Sequence, residues 1–189
     1  MKVKFCGMTN AEDVSTAVEL GVDFVGFVFY EKSKRFVTYE QVRKITEGIN
    51  SDIKKVGVFV EQSNEEIKKV VEFCNLDYAQ VYKTVEGVDT IRVYRIKDEP
   101  PKDISDGLIL FDSYTKSIGG SGVSFDLSLL KNFEHKNRLF VAGGINIDNV
   151  TFIAQLNVFG VDLVSSIEAY PGKKDIKKME DFMKVVRGL

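Results

Sequence analysis

Three glycine- or serine-rich turns follow three apolar, strand-like segments in the second half of the chain. They are Gly119-Gly120-Ser121-Gly122, Gly143-Gly144 and Ser165-Ser166. Turns of this kind leave backbone N–H groups free ahead of a helix, where the N–H groups can hold phosphate oxygens. One such turn is weak evidence, but three in succession favour a phosphorylated small molecule as the substrate. The candidate phosphate-binding residues are Gly120, Ser121, Gly122, Gly143, Gly144, Ser165 and Ser166.

Two side chains suited to proton transfer lie at or after predicted strand ends. Cys6 ends the first apolar segment and is followed by a glycine, so its thiol is expected to face a ligand. A lone cysteine is more often a core residue, as we expect for Cys74 on an apolar helical face. Asp126 follows the first glycine-rich turn, where it is equally suited to capping a helix over Leu127–Leu130.

Further polar candidates lie on the segments in between. Arg35 is in the loop after the second strand and would, taken alone, be a solvated charge. Gln80 lies on the fourth strand and Asp112 ends the sixth, so both could face a substrate. His135, the single histidine, lies between charged neighbours, as is typical of a surface residue. Nucleophilic schemes of the Ser–His or Cys–His type therefore lack a base.

Eight short runs rich in β-branched and aromatic residues must position these side chains. The predicted strands are Val3–Cys6, Phe24–Phe29, Lys55–Val60, Tyr78–Tyr82, Ile91–Ile96, Leu108–Asp112, Leu139–Ala142 and Val161–Ser165. Most are too apolar for a sheet with one wet face, which indicates buried parallel strands. Helix caps are predicted at Asn10 or Thr9, Thr38 and Ser63, and the last helix is predicted to end at Gly188.

Alternating strands and helices fit either a closed eight-stranded barrel or a doubly wound open sheet. Eight strands favour the barrel, as a single α/β domain over residues 1–189. Such barrels have about 250 residues, so this chain is short. Since Lys83–Thr90 and Lys97–Gly107 have no room for a standard crossover helix, the helices after strands 4 and 5 should be shortened or missing. The apolar surface left there would be covered by a partner subunit, or by local residues such as Tyr94 and Pro101.

Composition excludes several classes of function. The chain carries 26 basic and 28 acidic residues, a net charge of −2, without the basic cluster that nucleic-acid binding needs. The apolar run Phe24–Tyr30 is far shorter than the roughly 20 residues of a membrane-spanning helix. The first residues show no signal-peptide pattern, and two cysteines form neither a disulfide framework nor a zinc pattern. We expect a cytoplasmic protein with no metal, no membrane contact and no nucleic-acid partner.

Several stretches, in this order, resemble the phosphoribosylanthranilate isomerase family of tryptophan biosynthesis. They are KFCGMTNAEDV, GVDFVGFVFYEKSKR, VGVFV, FDS, GGSGVSFDL, VAGGINIDNV and GVDLVSSIEAYPGKKD. The resemblance covers the whole chain, and its first and last motifs are quite specific. It implies the (β/α)8 TIM-barrel fold and an Amadori rearrangement of N-(5-phosphoribosyl)anthranilate to the corresponding 1-deoxyribulose phosphate.

The resemblance also implies roles for individual residues. Cys6 would be the general base, Asp126 the general acid, and Arg35 the ligand of the anthranilate carboxylate, with the glycine-rich turns around the phosphate. Such an acid needs a raised pKa, for which we expect apolar surroundings such as Phe125, and the base needs thiolate character. No cofactor is implied, and the chain would be a monomer or a homodimer.

The chain departs from the family pattern in two motifs. Tyr82 and Lys83 replace the usual His-Gly after strand four, and Ser166 replaces a glycine in the last phosphate turn. Two alternatives stay open, because phosphate turns and an acid–base pair suit other phosphosugar enzymes too, and because the fourth helix is shortened. One is another phosphosugar isomerase or epimerase on the same barrel, and the other is a catalytically silent barrel that binds phosphosugars without turnover.

Overall fold

A closed barrel of eight parallel strands forms the centre of the molecule. The computed structural model describes residues 1–49, 52–113 and 126–189. The strands pair in chain order, and β8 closes the ring onto β1. They are β1 (Lys2–Cys6), β2 (Phe24–Val28), β3 (Lys54–Val58), β4 (Tyr78–Val81), β5 (Thr90–Ile96), β6 (Leu108–Ser113), β7 (Leu139–Val141) and β8 (Gly160–Leu163). The barrel and all eight predicted strands are confirmed.

Five α-helices lie outside the barrel in the described part of the chain. They are α1 (Ala11–Glu19), α2 (Tyr39–Thr46), α3 (Asn64–Phe73), α4 (Val150–Gln155) and α5 (Ile176–Arg187). The predicted caps are confirmed, since Asn10, Thr38 and Ser63 each accept a hydrogen bond from a backbone N–H in the first turn. Among the described residues, no helix is long and apolar enough to cross a membrane.

The apolar residues form two separate cores on the two faces of the sheet. The larger core lies between the barrel and its helices, where Phe5 packs edge-on against Phe182 of α5. The smaller core fills the barrel interior with Phe24, Val56, Ile91, Val93, Leu110, Phe140 and Ala142. Side chains alternate between the two faces of a strand, so every second residue after the smaller core faces inward at the carboxyl ends of the strands. A packed floor therefore lies under the open end of the barrel.

The connections from β4 to β5 and from β5 to β6 contain no helix, as predicted. The second of these loops folds back over the strands, because Ser105 donates its backbone N–H to the Tyr94 hydroxyl at 2.8 Å. Tyr94 and Ile104 pack against the outer core, and Val85 is 7% exposed. No large apolar side chain from β4 through this loop is exposed. The local residues thus cover the strands, and the alternative of an exposed apolar patch at this face is wrong.

A short hairpin after β8 is absent from the sequence-based prediction. A 3-10 helix at Ser165–Ile167 leads into β9 (Glu168–Tyr170), which pairs with β10 (Lys173–Lys174). Asp13 of α1 anchors the hairpin, accepting the Lys174 N–H at 2.8 Å and pairing with Lys173. This anchoring fixes Glu168 and Lys174 beside the open end of the barrel.

Candidate active site

One cavity at the carboxyl ends of the strands contains most of the residues selected from the sequence. Cavities at this end are where enzymes of this fold carry their active sites. The predicted residues that line it are Cys6, Arg35, Gln80, Asp112, Gly143, Gly144, Ser165 and Ser166. Lining residues that the sequence analysis did not select include Tyr82, Ser113 and Asp162. Alternation along the strands could have found Tyr82 and Asp162, because Tyr82 lies two positions after Gln80 and Asp162 is the register partner of Lys4. It could not have found Ser113, which directly follows Asp112.

Cys6 sits at the inner edge of the cavity, at the last position of β1. It pairs with Gly26 of β2, and a Cβ built on Gly26 would lie 2.6 Å from the Cys6 sulfur. The glycine therefore makes the space in which the thiol lies. Burial raises the pKa of this thiol, and the positive charge of Lys4 opposes that rise. The expected thiolate character is therefore not met here, because loss of hydration outweighs the neighbouring positive charges.

A buried ion pair between β1 and β8, at the position two residues before Cys6, was missed in the sequence. The Lys4 ammonium donates to a carboxylate oxygen of Asp162 at 2.8 Å, and their side chains are 0% and 5% exposed. Burial lowers the pKa of Lys4, but the neighbouring groups, Asp162 first among them, together raise it by more, so the net shift is upward. The ammonium thus stays charged inside the barrel.

Arg35 reaches the cavity from the loop after β2 and is held by Glu168. Its Nε and Nη2 donate to the two carboxylate oxygens at 2.8 and 2.7 Å. Glu168 also accepts from Lys174 at 3.3 Å and from the Gly172 N–H at 3.2 Å. One bidentate edge of the guanidinium is thus occupied, and Nη1 has no hydrogen-bond partner among the described residues. Gly7 makes room for this arginine, because a Cβ there would lie 2.6 Å from Arg35 Cδ.

The turns after β7 and β8, which the sequence analysis selected as candidate phosphate loops, both line the cavity. Gly143 and Gly144 have φ angles of +80° and +75°, which L side chains rarely adopt. Asn149 fixes the first turn by donating to the Gly144 carbonyl at 2.9 Å. The buried hydroxyls of Ser113 and Ser166 lack a hydrogen-bond partner in the described structure, which suits a polar ligand. The candidates Gly120, Ser121 and Gly122 lie outside the described residues.

Asp126 is placed differently from the other candidates. It is exposed, does not line the cavity, and caps the 3-10 helix Leu127–Leu130 by accepting the Ser128 N–H at 2.9 Å. That hydrogen bond lowers the pKa of Asp126. The expectation of a raised pKa is therefore wrong for this conformation, since an exposed carboxylate bonded to an N–H favours its charged form. Phe125, the expected apolar neighbour, lies outside the described residues.

A second carboxyl group does have the character that a general acid needs. Burial raises the pKa of Asp112, and the negative charge of Asp162 adds to this rise. Arg95 lies near both Asp112 and Tyr82, with its guanidinium carbon 5.7 Å from the Tyr82 ring centre. Gln80 is 6% exposed, and its side-chain oxygen has no partner among the described residues. This wall of the cavity is therefore rich in buried polar groups.

The closed parallel barrel, its cavity and the turns after β7 and β8 define an enzyme of the (β/α)8-barrel class that acts on phosphorylated small molecules. A family model described as N-(5'-phosphoribosyl)anthranilate (PRA) isomerase matches residues 3–185. The chain belongs to this family, which confirms the resemblance seen in the sequence motifs.

Individual relatives agree over their full length. The N-(5'-phosphoribosyl)anthranilate isomerase of Thermotoga petrophila is 38% identical over 206 residues, which cover 100% of both chains. The crystal structure of phosphoribosyl anthranilate isomerase from Thermus thermophilus gives a TM-score of 0.88 at 27% identity, covering 100% of this chain and 99% of that chain. Another, in complex with reduced 1-(o-carboxyphenylamino)-1-deoxyribulose 5-phosphate, gives 0.80 at 31% identity over 100% of both chains.

Proposed function

We propose that this chain converts N-(5-phosphoribosyl)anthranilate into 1-(2-carboxyphenylamino)-1-deoxyribulose 5-phosphate, a step of L-tryptophan biosynthesis. The observation that carries the proposal is the single cavity in which Cys6, Arg35 and the turns after β7 and β8 meet. The full-length match to the family and the relative bound to a reduced product support the same reaction.

The proposed mechanism is an acid–base Amadori rearrangement. Asp126 gives a proton to the ring oxygen of the ribose, and the C1–O bond breaks to leave a protonated Schiff base. The Cys6 thiolate then takes the proton from C2, and the C2–H electron pair forms the C1–C2 double bond of an enolamine. Protonation at C1 and loss of the C2 hydroxyl proton then give the ketone. A carboxylic acid and a thiolate form a workable acid–base pair. Because the pKa of Asp126 is lowered and that of Cys6 is raised in the described conformation, the mechanism requires the surroundings of both groups to change when the substrate binds.

Opposite walls of the cavity suit the two ends of this substrate. The Nη1 edge of Arg35 offers a planar pair of donors to the anthranilate carboxylate, which a lysine cannot reproduce. Gly143, Gly144, Ser165 and Ser166 offer backbone N–H and hydroxyl donors to the phosphate. We propose that Gly120, Ser121 and Gly122 complete the phosphate site, and that Gln80 and Asp112 contact the sugar between the two ends.

Three variants test the proposed acid and base side by side. Cys6→Ala and Asp126→Asn should each lower kcat by about 10²–10⁴-fold, the usual contribution of a placed proton-transfer group. Asp112→Asn tests the competing candidate for the acid, because Asp112 lines the cavity and burial raises its pKa. Loss of activity in Asp112→Asn with normal turnover in Asp126→Asn would move the acid role to Asp112. Near-normal turnover of Cys6→Ala would overturn the assignment of the base.

We also propose where and with what the enzyme works. Its partner is the small phosphosugar alone, without nucleic acid, membrane or cofactor, in the cytoplasm. A monomer or a homodimer is consistent with the structure, and the local cover of β4 and β5 removes one reason for a partner at that face.

A further inference from the structure

The β9–β10 hairpin supplies the groups that hold the Arg35 guanidinium. Glu168 of β9 accepts from Arg35 Nε at 2.8 Å and from Nη2 at 2.7 Å, one bond to each carboxylate oxygen. The same carboxylate accepts from the Gly172 N–H at 3.2 Å and from the Lys174 ammonium at 3.3 Å. An ionised carboxylate has about four acceptor positions, so these four bonds occupy it fully. Glu168 cannot turn without breaking several of them, and the arginine is therefore held in one orientation.

A carboxylate beside a ligand-binding arginine opposes an anionic ligand by its charge. Arg35 lines the cavity, and the Glu168 side chain lies 2.7 Å from it and is 4% exposed. An arginine and a glutamate together carry no net charge, which is unfavourable for binding a carboxylate. Charge therefore gives no reason for a glutamate at this position. Orientation does, because two-point binding of a carboxylate needs a planar guanidinium in a fixed direction.

Lys174 of β10 returns the positive charge that Glu168 cancels. Its side chain is 0% exposed, and its ammonium donates to the Cys6 and Val164 carbonyl oxygens at 2.6 and 3.2 Å besides Glu168. Three acceptors use all three N–H groups, which belong to the charged form. With Lys174, the cluster of Arg35, Glu168 and Lys174 carries one net positive charge. Lys174 also ties Glu168 to the end of β1 and to the residue before the turn after β8.

The hairpin is anchored from α1 and from the loop after β1. Asp13 of α1 accepts the Lys174 N–H at 2.8 Å, and the Thr9 hydroxyl donates to the Gly172 carbonyl. A Cβ on Gly172 would lie 3.3 Å from the Lys34 carbonyl oxygen, so the tip of the hairpin packs against the residue before Arg35. The hairpin is thus a fixed support for the arginine.

We propose that Glu168 is a positioning residue for binding of the substrate carboxylate: it fixes the Arg35 guanidinium, while Lys174 offsets its negative charge and ties it to the strand ends. The inference rests on the proposed function in taking Arg35 as the ligand of the anthranilate carboxylate. In this role Glu168 does not touch the substrate, and no covalent bond or proton changes place.

The test compares two probes that differ only in the carboxyl group. One is reduced 1-(o-carboxyphenylamino)-1-deoxyribulose 5-phosphate, the ligand of the solved relative, and the other is the same molecule without its carboxyl group. Isothermal titration calorimetry gives both dissociation constants, and their ratio measures the preference for the carboxylate. We expect the wild type to prefer the carboxylated probe by about tenfold or more, the usual size of a charged hydrogen bond.

Two variants of Glu168 separate orientation from charge. Glu168→Gln removes the charge and one acceptor, whereas Glu168→Asp keeps the charge but is one methylene shorter and cannot reach both nitrogens. Both should lower the preference to about twofold or less, with the affinity for the probe without the carboxyl group unchanged. If Glu168 acted through charge alone, Glu168→Gln would raise the preference and Glu168→Asp would keep it.

Lys174→Met tests the charge of the cluster. It leaves Arg35 and Glu168 without a net charge, so the preference for the carboxylated probe should fall in this variant too. A preference kept at the wild-type value would overturn the role assigned to Lys174.

Glu61→Gln is the matched control for loss of a negative charge. Glu61 follows β3 at the same end of the barrel and forms an exposed pair with Lys32, so both dissociation constants should stay at their wild-type values. In an Arg35→Lys background, Glu168→Gln should not change the preference further, because Glu168 acts through the arginine.

The outcomes separate this inference from the proposed function. A preference kept or raised in either Glu168 variant would overturn the inference, and so would equal losses of affinity for both probes, which a purely structural role predicts. If Glu168→Gln fails to fold, Glu168→Asp alone must lower the preference. A wild type that binds both probes equally would overturn the role of Arg35 together with this inference. Substrate turnover by the wild type tests the proposed reaction independently of all these results.

Discussion

Gly26→Ala should reduce catalysis by displacing a sulfur atom. A Cβ at this position would lie 2.6 Å from Cys6 Sγ and 3.2 Å from both Cys6 Cα and Cβ. Ordinary contacts of a Cβ begin at about 3.4 Å, so the sulfur must retreat by about 0.8 Å. The contact to Cα means that a side-chain rotation alone cannot relieve the clash. Since a displacement of about 1 Å in a reacting group can lower the rate about 10²-fold, we expect a loss in kcat of that size.

The control for this variant is an equally crowded glycine away from the site. A Cβ on Gly57 of β3 would lie 2.7 Å from side-chain atoms of Leu76 and Phe59, in the outer core. Both alanines should destabilise the fold by about 1–3 kcal/mol through overpacking, as measured by urea unfolding. Steady-state kinetics should show the large loss in kcat for Gly26→Ala alone. Wild-type kcat in Gly26→Ala, or an equal loss in Gly57→Ala, would refute the reasoning.

Three other changes test separate parts of the structure. Arg35→Lys keeps the charge but loses the two-point contact with Glu168 that orients the guanidinium, so KM should rise about tenfold, and an unchanged KM would show that Arg35 does not hold the substrate carboxylate. Burial raises the pKa of Glu168, but the Arg35 hydrogen bonds and the charge of Lys174 together lower it by more, so the net pKa lies below its ordinary 4.5. Its ionised form therefore stabilises the fold above about pH 4.5, and this stabilisation is lost as the pH falls. Acidification should lower the urea midpoint more in the wild type than in Glu168→Gln. Equal falls of the midpoint in both proteins would contradict this. Tyr94→Phe leaves the Ser105 N–H unpaired, which should cost about 1 kcal/mol and speed hydrogen exchange in β5, and unchanged exchange would show that the loop does not protect the strand.

The fold was predictable because the strand pattern is strong and local. Runs such as Phe24–Phe29 and Leu139–Ala142 are too apolar for anything but a buried sheet. Thr38 and Ser63 mark the start of their helices, because their side chains can cap the first turn. The missing helices after β4 and β5 followed from segment length alone. The β9–β10 hairpin was not visible, because its strands have three and two residues and depend on distant Asp13.

The candidate site was predictable as a set of strand ends, but its electrostatics were not. Cys6 and Gly143 come from chain order and the rule that sites lie at the carboxyl ends of strands. The pair of Lys4 and Asp162 depends on contacts between residues 158 positions apart, which periodicity does not contain. The pKa directions of Cys6 and Asp126 depend on burial and on single hydrogen bonds, which arise only when the chain is folded.

The most direct test of the account is the turnover of N-(5-phosphoribosyl)anthranilate by the purified wild-type protein, with the product identified by mass spectrometry and NMR. We expect catalytic formation of 1-(2-carboxyphenylamino)-1-deoxyribulose 5-phosphate, with kcat about 10²–10⁴-fold lower in Cys6→Ala. Binding of the substrate without turnover would identify a silent phosphosugar-binding barrel and contradict the account.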